Sequence, residues 1–292
     1  ERLLLDGTAY AIEWMQDDSI LVLMNDPVTR EVKEKQELGN DPIDYEADER
    51  FRSLYHYVPG NGFRKITNQL QVWEFASSPS CIIVVASDNP TEGSWYRSKL
   101  YRIDLSSGNS ELLYDPKWRA IARPRISPDA KSVVFLESLM SDFSVFSGDI
   151  IQLDLIARKS QNITENSDRS YFDMHWSANS LRLLWGKECT TGIEERTGDK
   201  VAELWKAEGT VMNSWAPEFR ILNGNLAFLY QDVKNPTELC LVDDRGKLSR
   251  ITQENKKIAE CDSLPAEVVK WKSSDGMEIY GIFRSAGEKS RL

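Results

Sequence analysis

The sequence predicts an all-β chain, a β-propeller of four-stranded antiparallel blades, and three observations carry that prediction. A short motif of an aromatic residue or Ile, a polar turn and an apolar run recurs five times. Each copy is followed by strands of alternating polarity joined at a turn that carries Gly, the pattern of a β-hairpin. No stretch has the 3.6-residue apolar periodicity of a long helix. A period of about 40 to 50 residues with this content identifies blades, because one twisted sheet cannot cover its own faces and must stack on its neighbours.

The copies open in order at Trp14-Met-Gln-Asp-Asp-Ser-Ile-Leu-Val-Leu, Phe75-Ala-Ser-Ser-Pro-Ser-Cys-Ile-Ile-Val, Ile126-Ser-Pro-Asp-Ala-Lys-Ser-Val-Val-Phe, Trp176-Ser-Ala-Asn-Ser-Leu-Arg-Leu-Leu and Phe219-Arg-Ile-Leu-Asn-Gly-Asn-Leu-Ala-Phe. Their spacings are 61, 51, 50 and 43 residues. Outer hairpins follow at Leu54 to Thr67, Leu100 to Tyr114, Ile150 to Thr164 and Leu239 to Thr252. In the fourth copy Glu203 to Gly209 reads as a single strand without a clear return. The blades are placed at 1–68, 69–117, 118–167, 168–212 and 213–258, within a propeller of 1–262, leaving 263–292 as a separate tail. The landmark aromatics are expected to fill the space between blades, which accounts for most of the nine Trp. Residues 25–51 break the rhythm as a charged insertion containing Asp26-Pro27 and Asp41-Pro42. Such an insertion is either a solvated elaboration or a projection into the central tunnel.

Composition narrows the function. A net charge of −10, from 36 basic and 46 acidic residues, disfavours a phosphate-binding surface, so no nucleic-acid partner is expected. The longest apolar runs, Ile20 to Met24 and Ile82 to Ala86, have strand length and fall far short of a membrane span, so no membrane partner is expected. Cys81, Cys189, Cys240 and Cys261 form no C-x-x-C pair and read as reduced, mostly buried thiols. His56 and His175 stand alone, without a second ligand at metal spacing, so neither a metal nor another cofactor is expected. Acidic charge and unpaired cysteines favour the cytoplasm.

Three stretches carry a resemblance. They are Ser94-Trp-Tyr-Arg-Ser-Lys-Leu-Tyr-Arg-Ile-Asp-Leu-Ser-Ser-Gly108, then Ile126 to Phe135 with Leu139-Met-Ser-Asp142 and Gly148-Asp-Ile150, and Asn235-Pro-Thr-Glu-Leu239 with Leu248-Ser-Arg-Ile-Thr252 and Asn255. Together they resemble the propeller of prolyl-oligopeptidase-family serine peptidases, of the acylaminoacyl-peptidase and dipeptidyl-aminopeptidase type. Where that family commonly writes Trp-Ser-Pro-Asp-Gly, this chain has Ile126 and Ala130. The tail Val268-Val-Lys-Trp-Lys-Ser-Ser-Asp-Gly-Met-Glu-Ile-Tyr-Gly-Ile-Phe283 is similar to the strand pair that opens the family's α/β-hydrolase domain.

The resemblance implies a propeller of seven or eight blades whose own C-terminal α/β-hydrolase domain is the partner. In that family the propeller gates access of small peptides or acyl-peptides to a Ser, Asp, His triad. No Gly-x-Ser-x-Gly elbow occurs in this chain, so no catalytic residue is assigned and both ends of the sequence read as cuts. Exopeptidases of the family bind the substrate α-amino group with propeller carboxylates, and the insertion offers Glu46 and Glu49 for that role, with Arg50 for a substrate carboxylate or carbonyl. A solvated charge run is the competing reading of the same residues. Two other classes stay open for the whole chain. One is a TolB-like or WD-repeat-like interaction module, for which the tail hairpin would have no use. The other is a propeller glycosidase, for which no Ser-x-Asp-x-Gly-x-Thr-Trp box is present.

Overall fold

The computed structural model describes residues 8–39, 50–139, 147–212, 216–260 and 266–284. Five antiparallel sheets of blade type are followed by a hairpin, with the strands of each sheet side by side in chain order. The first sheet is β1 (Ala9–Trp14), β2 (Ile20–Asn25), β3 (Arg52–Val58) and β4 (Gly62–Lys65), with helix α1 (Arg30–Glu37) between β2 and β3. The second is β5 (Gln71–Ser78), β6 (Cys81–Ser87), β7 (Lys99–Ile103) and β8 (Ser110–Tyr114). The third is β9 (Ala120–Ile126), β10 (Ser132–Ser138), β11 (Asp149–Asp154) and β12 (Ser160–Asn162). The fourth is β13 (Ser170–Ser177), β14 (Ser180–Lys187), β15 (Thr190–Thr197) and β16 (Lys200–Glu208). In the fifth, the first strand is split into β17 (Thr210–Val211) and β18 (Arg220–Leu222), both on β19 (Asn225–Gln231), followed by β20 (Glu238–Val242) and β21 (Leu248–Arg250). A short helix α2 (Lys256–Ala259) precedes the hairpin β22 (Ala266–Lys272) and β23 (Glu278–Arg284). The all-β propeller prediction holds.

The chain divides into two compact units, Glu1–Phe143 with Ile151–Asn162, and Ser144–Ile150 with Ile163–Leu292. In the first unit, alternation sends Leu21, Leu23 and Leu54 to one side, where they pack with Leu70 and with Val72, Ile82 and Val84 of the second sheet. The opposite side gathers Ile20, Val22, Met24, Tyr55 and Tyr57. In the second unit, Trp205 sits between Phe228 and Tyr230 at ring distances of 4.8 and 5.4 Å. Leu184, Ile193, Cys240 and Val242 complete that core.

Local chemistry explains the repeat. Ser127-Pro-Asp129 makes the β9–β10 turn because the Asp129 carboxylate accepts from Ser127 Oγ (2.7 Å) and Lys131 N (3.1 Å). Ala130 holds φ +54° there, the position where the resembling family commonly places Gly. Asn223-Gly224 has φ +50° and +85°, the signature of a type I′ hairpin turn. Three outer hairpins end on a threonine clasp: Leu54 N donates to Thr67 Oγ1 (2.9 Å), Ile150 N to Thr164 Oγ1 (2.9 Å) and Leu239 N to Thr252 Oγ1 (3.0 Å). The β7–β8, β11–β12 and β20–β21 turns share an aspartate, since Asp104, Asp154 and Asp243 each accept backbone N–H groups two to four residues ahead.

Two readings are corrected, that of the fourth sheet and that of a glycine in every outer turn. In the fourth sheet Glu203 to Gly209 is no unreturned strand: it lies within and just after β16, and its partner β15 precedes it. Of the landmark aromatics, Phe219 is packed in the second unit's core at 1% exposed, whereas Trp14 is 70% exposed. Trp14 pairs with Ile20, so it stands on the side of the first sheet turned away from the second. The β11–β12 turn uses Arg158 at φ +55° in place of glycine.

Candidate functional site

Strands of a blade alternate in direction, so the start of a first strand and the connection between second and third strands fall at one end of the sheet. In the first sheet that end carries the insertion. Its neck is closed by Asp26 N donating to Phe51 O at 2.8 Å. The Asp26 carboxylate accepts from Tyr55 Oη (2.8 Å) and Lys65 Nζ (2.6 Å). Burial, then that carboxylate, pushes the Tyr55 phenol far above its ordinary value. Beyond the neck, Thr29 Oγ1 accepts from Val32 N at the start of α1, and Arg30–Glu34 and Lys35–Glu31 pair one turn apart in solvent. Glu46 and Glu49 lie outside the described residues. Arg50 is exposed, two residues before the first residue of β3.

That first residue, Arg52, is one that reading the sequence missed. Its guanidinium carbon stands 3.6 Å over the Tyr10 ring and 5.4 Å from the Trp73 ring. Both rings come from bulges: the registers of β1 and β5 slip between Ala9 and Ala11 and between Val72 and Glu74, leaving Tyr10 and Trp73 as the extra residues. Asn25 Nδ2 donates to Tyr10 Oη at 3.1 Å, and Trp73 Nε1 donates to Ser87 Oγ at 2.8 Å. Arg52 N donates to Gln71 Oε1 at 2.6 Å. Arg52 Nε is buried without a hydrogen-bond partner. No sequence signal brings residues 10, 52 and 73 together, because bulges are invisible to simple alternation.

In the second unit a groove of about 220 Å³ runs beside the hairpin, lined by Glu208, Asp232, Lys234, Glu267, Val268 and Ile282 among others. The hairpin turn is fixed by Asp275, which accepts from Ser273 Oγ and from Met277 N, with Gly276 at φ +86°. Pairing puts Trp271 opposite Ile279 and Glu267 opposite Phe283, so Val269, Trp271, Ile279 and Phe283 share one face. Trp271 and Phe283 are 49% and 52% exposed. The Trp271 ring lies across Gly281, where a Cβ would come within 3.2 Å of Cη2 and Cζ3.

A Ser, His, Asp trio exists but cannot act as a triad. Ser19 Oγ donates to Asp17 Oδ1 at 2.6 Å and lies 2.8 Å from His56 Nε2. The acid therefore holds the serine and does not orient the imidazole, and Ser19 is 1% exposed. Burial, then the charge of Arg64, holds the His56 pKa down. His175 Nε2 is 3.1 Å from the fully buried Asp173, which also accepts from Phe219 N. Cys81 and Cys240 are buried, Cys189 partly so, and all three are free thiols. Among the described residues no group of three or more His, Cys, Asp or Glu could hold a metal ion, and no helix is long and apolar enough to cross a membrane.

No family model and no curated protein matches the sequence. Solved structures do. The chain is similar to the acylaminoacyl peptidase of Pyrococcus horikoshii at 15% identity and a TM-score of 0.70, over 98% of this chain and 45% of that one. It is similar to the β-propeller domain of the Trilobed protease from Pyrococcus furiosus at 12% identity and a TM-score of 0.56, over 87% and 70% of the two chains. An oligogalacturonate lyase in complex with manganese also matches, at 11% identity and a TM-score of 0.61, over 85% and 66%. This chain thus spans less than half the length of the acylaminoacyl peptidase, and one fold serves both peptidases and a lyase. It carries the β-propeller fold of the prolyl-oligopeptidase-type peptidases that its repeat and tail resemble.

Proposed function

We propose that this chain is the non-catalytic propeller of a serine peptidase, seated beside an α/β-hydrolase domain and gating its active site. The gate is steric: short peptides or acyl-peptides pass, and folded proteins do not. The observation that carries the reading is the hairpin, whose apolar face of Val269, Trp271, Ile279 and Phe283 is left half-open to solvent. Exposed aromatics of that size are the mark of a contact surface, and a hydrolase sheet extending from β22 and β23 would cover them. Residues 1–262 then form the propeller, and 263–292 the link and first hydrolase strands. Further blades, to a total of seven or eight, would stack on the side of the first sheet that bears Ile12 (63% exposed) and Trp14.

The test is a size series on the natural protein that contains this chain. An acyl-dipeptide anilide should be cleaved, while peptides longer than about 30 residues and casein should be cleaved at least tenfold more slowly. Cleavage of casein as fast as the anilide would remove the gating role.

A further inference from the structure

We infer that Arg52 is the anchor for a carboxylate of a short peptide, an inference that rests on the peptidase reading and names a substrate group for it. Two comparisons within the molecule carry it. First, the chain holds ten more acidic than basic residues, yet among the described residues Arg52 has no ion pair and no side-chain hydrogen bond. Arg169 is stacked in the same manner, 3.9 Å over Trp185, and there the charge is met by Glu194 and Glu203. Stacking without a counter-charge is particular to Arg52 in this pair.

Second, the side chain is held ready. The Tyr10 ring is fixed by Asn25, the Trp73 ring by Ser87, and the Arg52 backbone by Gln71. A guanidinium fixed before binding loses less rotational freedom when a ligand arrives. The Tyr10 ring covers one face of the group and Nε is buried, so the two terminal nitrogens remain for a ligand. Two parallel N–H donors match the two oxygens of a carboxylate, whereas a carbonyl engages only one direction. Position fits the same reading, because Tyr10 and Trp73 lie on β1 and β5, the first strands of their sheets, and first strands of blades line the channel of a propeller.

The experiment titrates the natural protein that contains this chain with acetyl-Ala-Phe as the free acid and as the amide, at a temperature where no cleavage is detected, followed by calorimetry and by tryptophan fluorescence. The acid should bind at least tenfold more tightly than the amide. Arg52→Met, which keeps the aliphatic stem, should abolish that preference, and Arg52→Lys, which keeps the charge but not the fork, should retain only part of it. If Arg52→Met fails to fold by circular dichroism, Arg52→Lys and the salt dependence of the wild-type preference decide, since an ionic contact weakens with salt. Equal affinity for acid and amide, binding of neither, or an undiminished preference in the variants would overturn the assignment. The peptidase reading is judged separately, by cleavage in the natural protein, and survives that outcome.

Discussion

Replacing Thr67 by valine tests the physical basis of the blade hairpins. Valine keeps the shape of threonine but removes Oγ1, which accepts the Leu54 N–H at 2.9 Å. Leu54 and Thr67 are both fully buried, so no water can take the place of the lost acceptor. The price of a buried donor left unpaired is about 1–3 kcal/mol, and the added methyl cannot recover it because a polar N–H then faces hydrocarbon. Thr164→Val should behave alike, since Thr164 is 2% exposed and accepts from Ile150 N at the same distance. Thr67→Ser restores the oxygen and should return most of the loss. The assay is urea unfolding followed by tryptophan fluorescence, with the midpoint expected to fall and the slope unchanged. A silent Thr67→Val, or a Thr67→Ser as damaging as Thr67→Val, would refute the clasp as a source of stability.

Three further outcomes follow from the geometry. Gly192→Ala would place a Cβ 2.3 Å from Trp185 Cζ2 in a buried site, and overpacking of that degree should lower stability by about 1–3 kcal/mol, read as a drop in melting temperature. Glu13 is held by Ser77 Oγ at 2.8 Å, and burial raises its pKa above the ordinary 4.5. A raised carboxyl pKa gives stability that is present below pH 4.5 and is lost as pH rises through the folded value. The melting temperature of wild type relative to Glu13→Gln should therefore fall as pH rises from 4.5 through the folded value, and a flat difference would contradict the raised pKa of this half-buried carboxyl. Trp271→Ser should change the stability of this chain by less than about 1 kcal/mol, as its ring is half exposed, but should impair assembly or activity of the natural protein.

Much of the fold was legible because its signals are local. Ser127-Pro-Asp129 and Asn223-Gly224 each fix a turn with atoms a few residues apart, and the Ile-Thr pairs at 66–67, 163–164 and 251–252 each close a hairpin within a single blade. The split first strand of the fifth sheet was not legible, since Thr210–Val211 and Arg220–Leu222 share the edge of β19 although eight residues lie between them in sequence. The fourth sheet was misread because Glu188 turns β14 into β15 at φ +56° without a glycine to mark it. At the candidate site the charged insertion was visible, and Arg50 and its neighbours were natural choices by composition. Arg52 was not, because its setting depends on bulges that bring Tyr10 and Trp73 onto it across 63 residues of chain.

The central claim, that a catalytic serine lies in a partner domain and not in this chain, is tested most directly with a fluorophosphonate probe. The natural protein should be labelled on a serine outside residues 1–292 and lose activity in step, while this chain alone should remain unlabelled. Label on this chain, or an active natural protein that takes no label, would contradict the account.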